Sequence, residues 1–381
     1  MNSNVPENII EQLLANVRQE DISAAQAIKY VDRVLSTFRR IGLSGQDDEH
    51  ILKVLASVGE SYEVLGSLPK AQDIYQEALA LALQLSHPLE EAQLKWKLGR
   101  VHRKRNRWET ALEYIHESHA LYEKLQDVAG QARCLTSEGA IFFSRGQFAN
   151  AIDNFQKALQ IGEQTDNLRL AASATINLGT CAAIRGDFDQ ATTYYNNSLV
   201  LYEQLNVPNQ IAQLLHNLGL CHVPQKNWAQ ALDMFEKSLE ISQEQGHIVL
   251  TALNFVHKAQ VYIALNDYTL VASYCARALD TFKEVDYPLG IAETYKVLGR
   301  LYTKKQDWAT AHGLLSESLR LCQQYEKPLG IAEVQREMGK LHLAQDDLIQ
   351  ARSTLEIARE QFATLGTLYE VHITEELLNT F

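Results

Sequence analysis

A period of 40 residues constrains this chain more than any other feature. Glycine recurs as Gly59, Gly99, Gly139, Gly179, Gly219, Gly299 and Gly339, and only Ala259 breaks the series. Twelve residues after each of these stands an alanine (Ala71, Ala111, Ala151, Ala191, Ala231, Ala311, Ala351), with Val271 the exception. Seven residues further the side chain is always small: Ala78, Ser118, Ala158, Ser198, Ser238, Ala278, Ser318, Ala358. Three columns held in phase over eight units mark a solenoid. In such a fold one unit cannot bury its apolar face alone and is stabilised by stacking on its neighbours.

The fourth unit shows the local structure. Leu178, Ala182 and Ala183 lie at helical spacing, and Ala191, Tyr194, Tyr195, Ser198, Leu199 and Tyr202 form an i, i+3, i+4 stripe. Gly186-Asp187 between them is a helix stop followed by a helix start. Each unit is therefore predicted to be a helix hairpin, with turns near Gly66, Asn106, Gly146, Gly186, Asn227, Asn266, Gln306 and Asp346. Small residues suit the crossing points, because helices about 8–10 Å apart leave little room between their axes. An aromatic after the turn (Trp108, Phe148, Phe188, Trp228, Tyr268, Trp308) is expected to fill the wedge between hairpins. Pro88, Pro208, Pro288 and Pro328 share one phase between units, where proline stops one hairpin and starts the next. Pro224 falls near the end of a first helix and should shorten or bend it. The hexapeptide PLGIAE occurs at 288–293 and again at 328–333, an internal duplication in the same phase.

Small-Gly in the first helix, an aromatic after the turn, alanine twelve residues past the glycine and a small residue seven later resemble the tetratricopeptide repeat. The longer unit is similar to the repeats of kinesin light chains, LGN-type polarity adaptors and bacterial signalling proteins. The resemblance covers residues 50–366. It implies an all-α, TPR-type α-solenoid: a right-handed superhelix of hairpins whose first helices line a concave face.

The repeat overrides the several globular domains that 381 residues would suggest. The expected organisation is an N-terminal helical cap or docking segment over 1–48, eight repeats over 49–366 and a capping helix over 367–381. Within 1–48 the small columns fail, since Val31 and Phe38 stand where Ala71 and Ala78 stand one period later. Helices are expected there over 6–18 and 24–41, with 42–48 as a linker. In the last segment Leu368, Val371, Leu377 and Leu378 are assigned to the final repeat, and Glu370, Glu375 and Glu376 to solvent.

A net charge of −12 argues against nucleic acid and anionic membranes as partners of the whole molecule. No run of 18 apolar residues spans a bilayer, and the first residues lack the basic, then apolar, layout of a signal peptide. Cys134, Cys181, Cys221, Cys275 and Cys322 lie inside helical segments without zinc spacing. Reduced thiols in a cytoplasmic protein are expected.

Function is sought on the concave side. One face of each first helix is followed at offsets −6, −2, +1 and +5 from the glycine column. Basic residues gather towards the ends of the array: Lys97, Arg100, Lys104 and Arg133 at one, Arg300, Lys304 and Lys340 at the other. Neutral polar residues hold the middle: Asn177, Thr180, Asn217, His257 and Gln260. Asn177 and Asn217 each precede Leu-Gly. The resemblance implies that such asparagines hydrogen-bond the backbone of a bound peptide, and an amide offers the matching donor and acceptor; a bond to neighbouring backbone or water is the alternative. Residues 95–107 carry seven Lys/Arg and no acid, suited to carboxylates or phosphates or simply to a solvated face. Cys181 and Cys221 share a phase near His216, His222 and His257, a candidate metal or redox cluster or, alternatively, small buried fillers. No GxxxxGK[ST], HExxH or GxSxG occurs, and Asp and Glu are assigned to solvent faces. The expected protein has no catalytic residues, metal or cofactor. It is a scaffold or adaptor that binds a protein or peptide in its groove, a ligand with an acidic flank fitting best, and self-association stays open. The alternative is a ligand-switched regulator resembling bacterial peptide-pheromone receptors.

Overall fold

The computed structural model describes residues 24–42, 48–105 and 107–380. The helix expected over 6–18, most of the linker and the turn at Asn106 lie outside them. The described residues form helices and turns, with no strand. An isolated helix, α1 (Ala24–Gly42), is followed by eight hairpins. They are α2/α3 (Asp48–Val64, Leu68–Gln84), α4/α5 (Pro88–Lys104, Trp108–Leu125), α6/α7 (Val128–Ser144, Phe148–Gln164) and α8/α9 (Leu168–Arg185, Phe188–Gln204). Next come α10/α11 (Pro208–His222, Trp228–Glu244), α12/α13 (Ile248–Ala264, Val271–Glu284), α14/α15 (Pro288–Lys304, Trp308–Gln324) and α16/α17 (Pro328–Ala344, Leu348–Thr364). A final helix, α18 (Leu368–Leu378), closes the chain. The fold is a TPR-type α-solenoid. It divides into two compact units, residues 1–170 and 171–381.

Helix boundaries follow local chemistry. Every twentieth described residue from Gly66 to Gly366 has a left-handed backbone, within hairpins and between them alike. Glycine takes Gly66, Gly146, Gly186, Gly246 and Gly366, and mostly Asn, Asp or Gln takes the rest, as expected of residues that tolerate this conformation. The residue at the fifth hairpin turn is Lys226, with Asn227 as the following N-cap. Asp127, Asp187, Asp307 and Asp347 cap their helices by accepting from the backbone N–H three residues on, at 2.9–3.2 Å. Pro88, Pro208, Pro288 and Pro328 each open a first helix. Pro224 has the expected effect: α10 ends at His222 after 15 residues, where α4, α14 and α16 run to 17.

The columns are the packing code of the hairpin. A Cβ on Gly59, Gly99, Gly139, Gly179, Gly219, Gly299 or Gly339 would lie 2.4–2.8 Å from the side chain sixteen residues later. These glycines are where a large residue of the second helix lies across the first: Tyr75, Ile115, Phe155, Tyr195, Phe235, Leu315 and Leu355. The alanine column is fully buried. In the small column, Ser118, Ser198, Ser238 and Ser318 each donate to a carbonyl of the first helix (Ala92, Ala172, Ala212, Ala292) at 2.7–3.0 Å. A hydroxyl is thus buried there with its hydrogen bond made.

In the first unit, α1 buries Val31 and Leu35 in the core of the first hairpin, and Asp32 accepts from Tyr62 Oη (2.7 Å) and Lys70 Nζ (2.6 Å). Two expectations about acids are corrected. Not all carboxylates face solvent: the Glu63 and Glu337 side chains are each only 5% exposed, because cations from adjacent first helices converge on them. In α18, Leu368 is 65% exposed and does not pack on the last repeat, whereas Glu370 pairs with Arg336. Val371 supplies the apolar contact instead, against Ala332, Ala358 and Phe362.

Candidate functional site

The second unit surrounds a half-open chamber of about 1250 Å³. Its floor is the stripe read from the sequence. The residues one and five past the glycine column line it in all five hairpins of the unit, Thr180, Gln260, Arg300, Lys304 and Lys340 among them. Two residues before the column the stripe diverges. Asn217 and Glu337 reach the chamber but Asn177 and His257 do not. Asn217 Oδ1 accepts from Gln213 Nε2 at 3.2 Å. His257 is half-buried between His216 and Phe235, with ring centroids at 5.0 and 5.8 Å.

One wall is ionic. Glu337 lies between Arg300 (3.0 Å) and Lys340 (2.9 Å). Buried Lys296 joins Glu293 (2.7 Å) to Glu333, and Arg336 pairs with Glu370 while its guanidinium stands 5.0 Å from the Phe362 ring centre. Although burial opposes it, the charges of Arg300 and Lys340 hold the Glu337 carboxyl well below the usual range. Burial, aided by Arg300 and Arg336, pushes Lys340 down against the pull of Glu337. Cations on neighbouring hairpins thus share one carboxylate. Apolar side chains also line the chamber: Ile184, Phe188, Leu220, Trp228 and Trp308. The aromatic column therefore does more than fill wedges. Tyr369, Glu370 and Ile373 of α18 line the chamber as well. The period does not find them, since α18 lies past the last full repeat.

In the first unit, Lys97, Arg100 and Lys104 border a smaller pocket of about 240 Å³ with Glu60, Glu63 and Tyr75. Lys97 pairs with Glu60 (2.7 Å), and Arg100 and Lys104 both with Glu63 (2.8 Å each). Arg133 stands 3.6 Å from Asp127 and, with Arg100, stacks on Trp96. Lys95 bridges Glu91 and Glu117. Much of the basic run is thus neutralised by acids distant in sequence, which reading the run alone does not show.

The five cysteines are free and buried. Burial pushes the thiols of Cys181 and Cys221 up to about 11, which makes them poor nucleophiles and ligands. His216 and His257 belong to a different device. His216 Nδ1 lies 2.8 Å from Asn254 Oδ1, whose Nδ2 donates to Ser238 Oγ at 2.9 Å. Burial, with the neighbouring His257, lowers His216 to about 3; burial, with Lys296 and Arg300, lowers His257 to about 4. Both folded-state values lie below the unfolded value near 6.5, so the unfolded chain binds more protons between them. Stability is then complete above about pH 6.5 and lost as pH falls towards 4. His102 and His222 are lowered by burial too and add in the same direction. The melting temperature should fall measurably from pH 7.5 to 5, and His216→Gln should flatten that decline without abolishing it; an unchanged slope in the variant would show that His216 is not the group responsible.

Residues 90–164 and 170–244 match the sequence profile of the tetratricopeptide repeat. No curated protein matches the sequence. Among solved structures, the chain is similar to the Rap conjugation gene regulator of the plasmid pLS20, solved in complex with the Phr* peptide (13% identity, 96% of each chain covered, TM-score 0.63). It is similar also to the apo form of the quorum sensor NprR from B. thuringiensis (14%, 93% of this chain and 98% of that, 0.60). A third is aspartyl phosphate phosphatase F from Bacillus subtilis (11%, 95% and 94%, 0.61). At these identities the likeness establishes the fold.

Proposed function

We propose that this protein, a tetratricopeptide-repeat protein by its sequence columns and its fold, is a non-enzymatic scaffold or adaptor that binds a peptide segment of a partner in the chamber of its second unit. The carrying observation is that the chamber is lined, hairpin after hairpin, by the same face of successive first helices. A repeating surface of that kind matches a repeating ligand backbone. Asn217, Thr180 and Gln260 supply amide and hydroxyl partners in the middle, and Arg300, Lys304 and Lys340 receive an acidic flank. The basic cluster of the first unit (Lys97, Arg100, Lys104, Arg133) is a separate candidate site for acidic groups, tempered by its own acid partners. Neither Cys221, held as the thiol, nor Glu337, clamped by cations, is poised as nucleophile or base, which supports binding rather than catalysis. Free thiols fit the cytoplasm, and among the described residues no helix is long and apolar enough to cross a membrane.

A second reading, a peptide-switched regulator, is favoured by whole-chain likeness to a structure holding a peptide and to a quorum sensor. Native mass spectrometry after capture from the source cell separates the two, since a protein partner and a small peptide differ in mass. With the partner in hand, Asn217→Ala should weaken binding by about 0.5–1.5 kcal/mol at any salt. Lys304→Glu should weaken it strongly at low salt and less at high salt, because exposed charges are screened over about 10 Å at 0.1 M. If both leave affinity intact while the exposed Lys237→Glu on α11 abolishes it, the chamber is not the site.

A further inference from the structure

In a solenoid each repeat touches its neighbours. One contact in the second unit departs from that rule. Tyr369, at the start of α18, meets the turn of the α8/α9 hairpin, about 180 residues earlier in sequence. Its ring lies edge-on to Phe188, with centroids 4.8 Å apart and planes at 89°, the favourable aromatic arrangement. The approach is so close that a Cβ on Gly186 would lie 2.5 Å from Tyr369 Cβ. Gly186 has a φ of +86°, so its glycine serves both the left-handed turn and this contact. The helix that carries Tyr369 is held by few groups, among them Val371 on Ala332, Ala358 and Phe362. Thr374 is its one buried residue, Leu368 is 65% exposed, and its ion pair to Arg336 is made at the chamber wall.

We propose that α18 is a movable wall of the chamber and that the Tyr369–Phe188 contact is its catch: ligand enters and leaves when the catch is open. This rests on the chamber being the binding site. The chamber, of about 1250 Å³, is partly open to solvent, and it widens for a bulky ligand most readily where a single short helix forms its wall. The edge-on geometry of the pair is worth about 2- to 13-fold in population beyond its buried area, and it acts beside the Glu370–Arg336 pair and the Val371 contact. The C-terminal helix thereby acquires a role beyond capping, and Tyr369, Glu370 and Ile373 become ligand-facing residues.

The catch is tested without any ligand. Nitroxide labels at the exposed positions Asn196→Cys on α9 and Glu375→Cys on α18 report the distance across it, and the native cysteines are buried and silent. Tyr369→Ala should shift the population from the short to the longer distance by about 2- to 13-fold with helicity unchanged by circular dichroism. Phe188→Ala should do the same, and the two together should add little to either alone. Distances unchanged in both variants overturn the catch. Exchange is tested with 1-anilinonaphthalene-8-sulfonate, an apolar anion suited to aromatic walls with a cationic edge. Its association rate should rise in Tyr369→Ala by the same factor as the open population. An unchanged rate overturns the gate. No dye binding in any form overturns the chamber as a ligand site, while the distance measurement still decides the catch.

Discussion

Replacing Glu337 by glutamine should cost about 3–5 kcal/mol, because breaking a buried ion pair by removing one partner leaves uncompensated charge in a poorly solvated place. Arg300 and Lys340, from adjacent first helices, both lie against this carboxylate. The Arg300 side chain is 19% exposed and Lys340 37%, so water recovers part of the loss and the lower end of the range is expected. The damage should stay local, since a solenoid transmits through nearest neighbours: amide exchange should quicken in α14 and α16 and stay slow in α10. Arg300→Gln added to Glu337→Gln should cost less than the two singles together, because the second change removes the charge the first left unpaired. The pH signature differs from that of the histidines. A carboxyl held below its unfolded value contributes stability that is lost as pH falls, so this decline begins below about pH 4.5 and adds to that of His216, which continues towards about pH 3. A Glu337→Gln protein that melts within about 0.5 kcal/mol of wild type would show the cluster to be ordinary surface charge.

The fold was almost wholly legible in the sequence, and the reason is particular to repeats. A position seen eight times averages out its exceptions, so the columns through Gly179, Ala191 and Ser198 located every described hairpin and, one and five residues past the glycine, the chamber floor. What escaped was whatever the period does not repeat. Glu63 gathers Arg100 and Lys104 from the next first helix, yet in sequence it is one acid 37 residues from Arg100. Tyr369 and Glu370 fall after the last repeat; the period does not single out Tyr369, and Glu370 reads as a solvent-facing acid of the cap. Asn177 and Asn217 share a phase, but only Asn217 reaches the chamber.

The exception at Ala259 carries the sharpest test of the packing code. Gly219 faces Phe235, and a Cβ there would lie 2.6, 2.7 and 3.0 Å from three ring atoms. The ring cannot yield, because it is fully buried and packed against His216 and His257. Gly219→Ala should therefore destabilise by about 1–3 kcal/mol through overpacking, although alanine is the better helix former by about 1 kcal/mol. One hairpin further, alanine already occupies the column as Ala259, and the residue sixteen later is Cys275, smaller than any of its counterparts. The pair has exchanged bulk across the crossing, and the neighbouring Val271 in place of alanine belongs to the same repacked hairpin. The same exchange should work by design. Phe235→Cys alone should cost about 3–5 kcal/mol, as large-to-small changes of a buried aromatic do. In that background Gly219→Ala should turn from destabilising to neutral or stabilising, since the new methyl group meets space instead of a ring and the helix keeps its propensity gain. Thermal or urea unfolding of the four proteins gives the coupling directly. If Gly219→Ala raises stability in wild type and in the Phe235→Cys background alike, the glycine column reflects no close approach, and the large residue opposite it is not what selects glycine.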